Sequence, residues 1–441
     1  MKRSILTAIG LAVVVPLAVA SCSSSPATTS STTESATAAG PVTLSLAGWS
    51  LKTTPEFQAL ADAFHAANPS ITVVPKEYDA TNYDTQMTAD LAAGSAPDIY
   101  VQKNLKNFAT YQIGGQLLDV SDVATEVGGD VSGLSGYKVD GKTYAIPYRQ
   151  DSWYLYYNKD LFDAAKVAVP DGSWTWDDYA AAAEDLTSGL KTAGNEALGT
   201  YQHTWQSTVQ GLALAQTPKA DLLSGDFSYL KPFYERALAL QAAGAQADYG
   251  TVTTNNLTYQ AQFGTQKSAM MIMGSWYVAT LIAQQVKGDA NTFNWGIAPV
   301  PQIDSSTAGT DNTPVTFGDP TGLGINPAID KSKIAAAKEF LAFVASEDGA
   351  KTLAGIGITP AHVSDAVTTA YFSFKGVPTD DLSKFTFGTH DTKAENPVSK
   401  YTAGLQNVLG DLHSSVMSGS ASIDDAIKTA EDRAKNEVLN Q

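Results

Sequence analysis

Between residues 42 and 104 the sequence switches twice between a two-residue and a 3.6-residue apolar period, and that alternation restricts the fold more than any other feature. VTLSLAG at residues 42–48 reads as a strand, and Thr54-Pro55 as a helix start with proline at the first helical position. Phe57, Leu60, Ala61 and Phe64 fall at i, i+3, i+4 and i+7, one apolar helix face that Asn68-Pro69 ends. ITVVP from Ile71 is a second strand. Tyr83, Met87 and Leu91 mark a second helix closed by Gly94, and DIYV from Asp98 a third strand. Strand–helix–strand–helix–strand requires parallel pairing with right-handed crossovers, and such sheets bind ligands beyond the carboxyl ends of their strands. Those ends are Trp49 and Ser50, Tyr78 and Asp79, and Gln102, Lys103 and Asn104.

DGKTYAIPYRQDSWYLYYNKDLFDAA, residues 140–165, carries a DG turn, an aromatic extended stretch interrupted by Pro147, and a helix starting at Asp160. Proline cannot donate to a sheet ladder and holds its predecessor extended, so Ile146-Pro147 suits a crossing between domains. Thr175-Trp176-Asp177-Asp178 opens a capped helix. KSAMMIMGSW (267–276) reads as a buried strand handing over to a helix through Gly274-Ser275, WGIAPVP (295–301) as a strand and turn, and TFGDPTGLGIN (316–326) as a glycine-loosened return strand. Ile334, Ala337, Leu341 and Val344 give a helix, as do Ile423, Ala426, Ile427, Ala430 and Ala434. From Pro41 onward about 400 residues suggest two or three cores.

Catalytic patterns are thin: there is no HExxH, GxSxG or P-loop, and the two GxG runs lack a third glycine. The five histidines, His65, His203, His362, His390 and His413, lack metal-ligand spacing and read as surface or satisfied side chains, so no metal or cofactor is expected. Asp177-Asp178, Asp380-Asp381 and Asp424-Asp425 read as helix caps, because neighbours on a helix do not converge on one bond. Tryptophan and tyrosine beside Asp, Arg and Gln at strand ends give a stronger signal. A sugar stacks its C–H face on an indole and offers its hydroxyl rim to carboxylate, guanidinium and amide groups. Trp49, Tyr148, Arg149, Asp151, Trp205, Trp276 and Asp319 supply both elements. Trp153, Trp174, Trp176 and Trp295 read as core. Arg149 and Asp151 face either a ligand or each other across the hinge.

Cys22 is the only cysteine, so it forms no intramolecular disulfide. Lys2 and Arg3 precede an apolar run of 15 residues, Ile5 to Val19, too short for the roughly 20 of a spanning helix. Residues 1–21 therefore read as a signal peptide. Val19-Ala20-Ser21-Cys22 resembles the lipobox of bacterial lipoproteins, which implies acylation of Cys22 and anchorage on the extracellular face of the cytoplasmic membrane. Residues 22–40, poor in anything large and apolar, read as a disordered tether. Loss of Lys2 and Arg3 takes the formal charge from −17 to −19. An acidic surface without a basic run argues against nucleic acid as a partner.

SAPDIYV at Ser95, GGQLLDVSD at Gly114, DGKTYAIPY at Asp140, LYYNKDLF at Leu155 and TWDDY at Thr175 follow an order seen in one family. FGTQKSAMMIMGSW at Phe263, WGIAPVP at Trp295 and AAAKEFLAFVAS at Ala335 continue it. Over residues 42–438 the chain resembles the bacterial extracellular solute-binding proteins of ATP-driven (ABC) importers, the maltose-binding type. The resemblance implies an α/β, two-lobed periplasmic-binding-protein fold of type II, each lobe a mainly parallel sheet flanked by helices, with crossings near Pro147 to Asp151 and Thr316 to Asp319. Residues 41–149 plus 319–360 would form lobe 1, and 150–318 plus 361–441 lobe 2. Carried over by position, Trp49 and Gln102 lie on the first lobe's rim, Asp151 on the first crossing, Trp205 and Trp276 on the second lobe, and Asp319 on the return. A monomer that delivers a di- or oligosaccharide to permease subunits, with no reaction performed, is the implied role. Two other readings stay open: a polyamine, metal chelate or organic ion as cargo, against which Lys103 and Arg149 count where it is a cation, and a lipoprotein carbohydrate-active enzyme.

Overall fold

The computed structural model describes residues 40–52 and 55–440. The signal segment 1–21, Cys22, the tether short of Gly40, and Thr54 lie outside the described residues. Among the described residues thirteen strands run in chain order: β1 Val42–Trp49, β2 Ile71–Tyr78, β3 Ile99–Gln102, β4 Lys138–Val139, β5 Lys142–Thr143, β6 Ile146–Gln150, β7 Trp153–Asn158, β8 Leu198–Tyr201, β9 Ser268–Gly274, β10 Trp295–Pro299, β11 Val315–Phe317, β12 Pro320–Ile325 and β13 Asp391–Lys393.

The opening alternation folds as its periods require. β1 pairs in parallel with β2 and β3, and the helices Glu56–Ala67 and Tyr83–Ala93 make the two crossovers. Asn68 closes the first helix and left-handed Gly94 the second. The sheet is completed in the order β2-β1-β3-β12-β6, with β12 antiparallel to both neighbours. Pro147 lies inside β6, the edge strand, where its missing donor costs nothing. The passage out of this sheet comes a few residues later than Ile146-Pro147 suggests, at Asp151-Ser152 between β6 and β7.

A second sheet has the order β10-β7-β9-β8. β7 enters it antiparallel to both neighbours and only β8 and β9 pair in parallel, so this sheet is mixed. Each sheet has its own core. One gathers Leu46, Phe57, Val101, Tyr137, Leu323 and Phe340, and the other Trp153, Phe162, Leu186, Met271, Ile297 and Leu409. These are the two lobes. Thr175 and Asp178 form a reciprocal capping box at the helix Trp176–Thr192, and the DG turn joins β4 to β5 with Asp140 and Gly141 both at positive φ.

The return stretch is two strands. β11 pairs in parallel with β13, β12 joins the first sheet, and Gly318-Asp319 lies between them. Gly318 runs against the first crossing so closely that a β-carbon there would overlap the Asp151 carbonyl oxygen. A third passage follows Ala361, which donates its N–H to the Tyr148 carbonyl and still packs in the first core; Val367 and Tyr371 pack in the second. Three segments side by side permit bending while resisting twist.

Candidate functional site

The strand ends decide which faces meet. Trp153 opens β7 opposite Gly274 at the end of β9, and β8 runs parallel to β9, so the carboxyl ends of β8 and β9 sit beside the first crossing. The Ser275 hydroxyl donates to Asp151 at 2.9 Å, tying that end to the hinge. The segment after β3 reaches the second crossing, where Leu105 donates its N–H to Asp319 at 3.2 Å.

On the first lobe, Arg149 organises a buried ionic group. Its Nη1 donates to Glu56 at 2.7 Å and its Nε lies 2.9 Å from Asp151, with all three side chains at most 9% exposed. The Tyr148 hydroxyl donates to the same glutamate at 3.3 Å. A bulge explains why consecutive residues reach one carboxylate. The β6–β12 register shifts between Thr321, opposite Arg149, and Gly322, opposite Pro147, leaving Tyr148 as the extra residue. Burial raises the pKa of Glu56 and of Asp151, while the guanidinium between them opposes that rise. Burial also works against the charge on Arg149, but the two carboxylates outweigh it and keep the guanidinium ionised. Among the described residues its charge is already matched twice over.

Trp49 and Gln102 are less accessible than rim positions suggest. Trp49 packs edge-on against Phe57 and Tyr83, and the Lys103 ammonium sits 5.6 Å from its ring centre. Gln102 is 1% exposed. Asp319 accepts from the backbone N–H groups of Leu105, Glu395 and Asn396 and from the Asn396 side chain at 2.6 Å. Its place is at the junction of the second crossing with the loop that follows β13.

The second lobe contributes an aromatic wall. Trp276 follows the Gly274-Ser275 step, and its ring folds back over Gly274 where a β-carbon would overlap it. Trp276 stands edge-on to Trp153 at 5.6 Å and lies 6.4 Å from Trp205, which is 41% exposed and 5.6 Å from Tyr259. Burial pushes the Tyr259 phenol up to about 12, with a hydrogen bond to Trp276 and the Arg149 charge opposing the rise. Ser275, the residue before Trp276, bonds Asp151, which puts the wall beside the ionic group. Trp205 and Trp276 are thus brought together, with Arg149 and Asp151 beneath the hinge side. Sequence reasoning did not single out Glu56, His203 or Tyr259. His203 lies two residues past the end of β8, a strand not read from the sequence, where the histidine reads as a surface or satisfied side chain.

Elsewhere, Trp153, Trp176 and Trp295 are buried in the second core and Trp174 packs against it. Asp178 and Asp380 cap helices, and Asp425 bonds the capping Ser422. Among the described residues, Lys287 Nζ donates across the lobes to the Lys52 carbonyl at 2.9 Å, Lys106 Nζ, next to the Leu105 that bonds Asp319, donates to Asn407 Oδ1 at 3.1 Å, and Ala279 of the second lobe's helix Tyr277–Lys287 packs in the first core. Among the described residues no helix is long and apolar enough to cross a membrane.

Two cores joined by three crossings, with Trp205, Trp276 and Tyr259 grouped beside the hinge, define a two-lobed α/β protein. Comparison with known proteins agrees. The family model for bacterial extracellular solute-binding proteins matches residues 49–351, and the chain belongs to that family. A sugar transporter from Rhizobium etli in an open conformation is similar at 31% identity and a TM-score of 0.75, covering 89% of this chain and 99% of that one. A putative binding protein of Brucella abortus (strain 2308) is 25% identical over 297 residues, 62% of this chain and 66% of the relative, just under two thirds of its length. The sn-glycerol-3-phosphate-binding periplasmic protein UgpB of Escherichia coli (strain K12) is 27% identical over 317 residues, 67% of this chain and 68% of that protein.

Proposed function

We propose that the protein captures a di- or oligosaccharide between its lobes and delivers it to the permease subunits of an ABC importer. It acts as a monomer, catalyses no reaction, and is held on the outer face of the cytoplasmic membrane by acyl chains on Cys22. The observation that carries the cargo is the wall of Trp276, Trp205 and Tyr259 beside the hinge. The exposed indole of Trp205, tilted against Trp276 and Tyr259, suits the C–H face of a pyranose, and the adjacent polar groups suit its hydroxyls. The relative that binds sn-glycerol 3-phosphate raises a phosphate ester as a second cargo. Against it, Arg149 is already paired with two carboxylates, so a phosphate arriving there would have to displace one of them.

Closure follows from the geometry. A solute touching one lobe gains part of its contacts, and one touching both favours the closed form by the difference. The test uses the Cys22→Ala protein, which loss of the tether should leave in the soluble fraction; retention with membranes contradicts the tether. Its thermal unfolding is scanned against maltose, maltotriose, xylobiose, D-mannitol, sn-glycerol 3-phosphate, spermidine and amino acids. A ligand at 100 times its dissociation constant adds about 2.7 kcal/mol, a shift of several degrees. A shift with a saccharide supports the reading, whereas shifts confined to the phosphate ester or the polyamine overturn the cargo.

A further inference from the structure

His203 has no part in the ionic group described above, yet its ring belongs to the aromatic wall. It stands edge-on to Trp205 at 4.5 Å and to Tyr259 at 5.3 Å. Its protonation pattern is fixed by a short relay. The Tyr201 oxygen lies 2.8 Å from the Leu257 carbonyl oxygen and 2.9 Å from His203 Nδ1. A carbonyl oxygen only accepts, so the single phenolic proton of Tyr201 goes to Leu257. Tyr201 therefore meets His203 as an acceptor, and Nδ1 must carry the imidazole proton. Burial pushes the imidazole down to about 4, so the ring is neutral near pH 7 and holds one proton only. Nε2 is left with a bare lone pair, and no described residue supplies it with a hydrogen-bond donor.

We propose that His203 Nε2 is a ligand-contacting acceptor that takes a hydrogen bond from a hydroxyl of the bound solute and so selects for a donor at that end of the cleft. The inference rests on the saccharide reading and deepens it. An exposed indole such as Trp205 holds a ring by its face and is indifferent to what its rim carries. A fixed acceptor beside it is not. A sugar hydroxyl satisfies it, a methyl ether or a deoxy carbon at the same position leaves it empty, and a phosphate dianion presents only acceptors. Tyr201 acts as a positioning residue, because without its oxygen the Nδ1 proton loses its partner and the opposite tautomer becomes accessible.

The test takes whichever of maltose, maltotriose, xylobiose and D-mannitol gives the wild-type protein its largest thermal shift, and titrates it calorimetrically. His203→Phe keeps an aromatic ring and removes the acceptor, and should weaken binding about fivefold to tenfold. Tyr201→Phe should weaken it less. In wild type one monodeoxy form of that sugar should bind about as weakly as the parent sugar binds to His203→Phe, and in His203→Phe that same deoxy form should lose nothing further. Long-range 15N–1H spectra of the ligand-free wild-type protein give a reading that does not depend on a variant folding: His203 Nε2 should be the unprotonated nitrogen. Unchanged affinity in His203→Phe, or a proton on Nε2, overturns the inference while the saccharide reading stands. A wild-type protein that binds none of the four sugars overturns both.

Discussion

Arg149 is held in the interior between two carboxylates, Asp151 two residues on and Glu56 from the first turn of a helix far away in the chain. No local pattern announces that partner, since the glutamate reads equally well as a first-turn acid favouring the helix dipole. Burial makes the group expensive to break. Arg149→Met is expected to destabilise the protein by about 3–5 kcal/mol in denaturant unfolding, because it leaves two carboxylates unpaired in the interior. Glu56→Gln, which leaves the guanidinium paired with Asp151, should cost distinctly less. Equal losses would mean that the arginine's packing, not its charge, matters. His203 was not legible as a site residue: the sequence reads it as a surface or satisfied histidine with no strand before it, and the relay through Tyr201 and Leu257 depends on a carbonyl that only the fold brings near.

At the scale of elements, the regular pieces follow the sequence closely where their signals are local. The capping box at Thr175, the DG turn and the opening parallel strands all rest on contacts between near neighbours. What local signals could not supply is pairing across long separations: β13 against β11, β7 between β9 and β10, and the loop after β13 that wraps Asp319. That loop has a pH consequence. Burial, and secondarily the charge of Asp319, push Glu395 up to about 7, against opposing interactions with Ser207 and Lys106. A carboxyl whose folded pKa is raised contributes stability that is fully present below its unfolded value near 4.5 and is lost as the pH rises through 7. Glu395→Gln mimics the protonated form, so its melting temperature should exceed that of the wild type by about 2 °C at pH 8 and match it at pH 5. A constant offset at both values would exclude titration of Glu395 as the cause. Buried His413, pushed down to about 4, acts on the other side, with stability present above 6.5 and lost as the pH falls toward 4. The melting temperature should therefore decline toward both extremes.

For the whole molecule, two cores joined by three crossings suit the hinge closure proposed above. The Lys287–Lys52 contact and the packing of Ala279 in the first core link the lobes, and an opening motion would have to break them. Lys287 is exposed, so its contact adds little on its own. Gly318 against the Asp151 carbonyl keeps two of the crossings in register as they bend. The proposed saccharide, held between the lobes against Trp205 and Trp276, should report through intrinsic tryptophan fluorescence. Titrating the best-shifting saccharide should give a saturable spectral change in wild type, with affinity reduced more than tenfold in Trp276→Ala while its unfolding remains cooperative. A saturable response to sn-glycerol 3-phosphate or spermidine alone, or saccharide affinity unchanged in Trp276→Ala, would contradict the account.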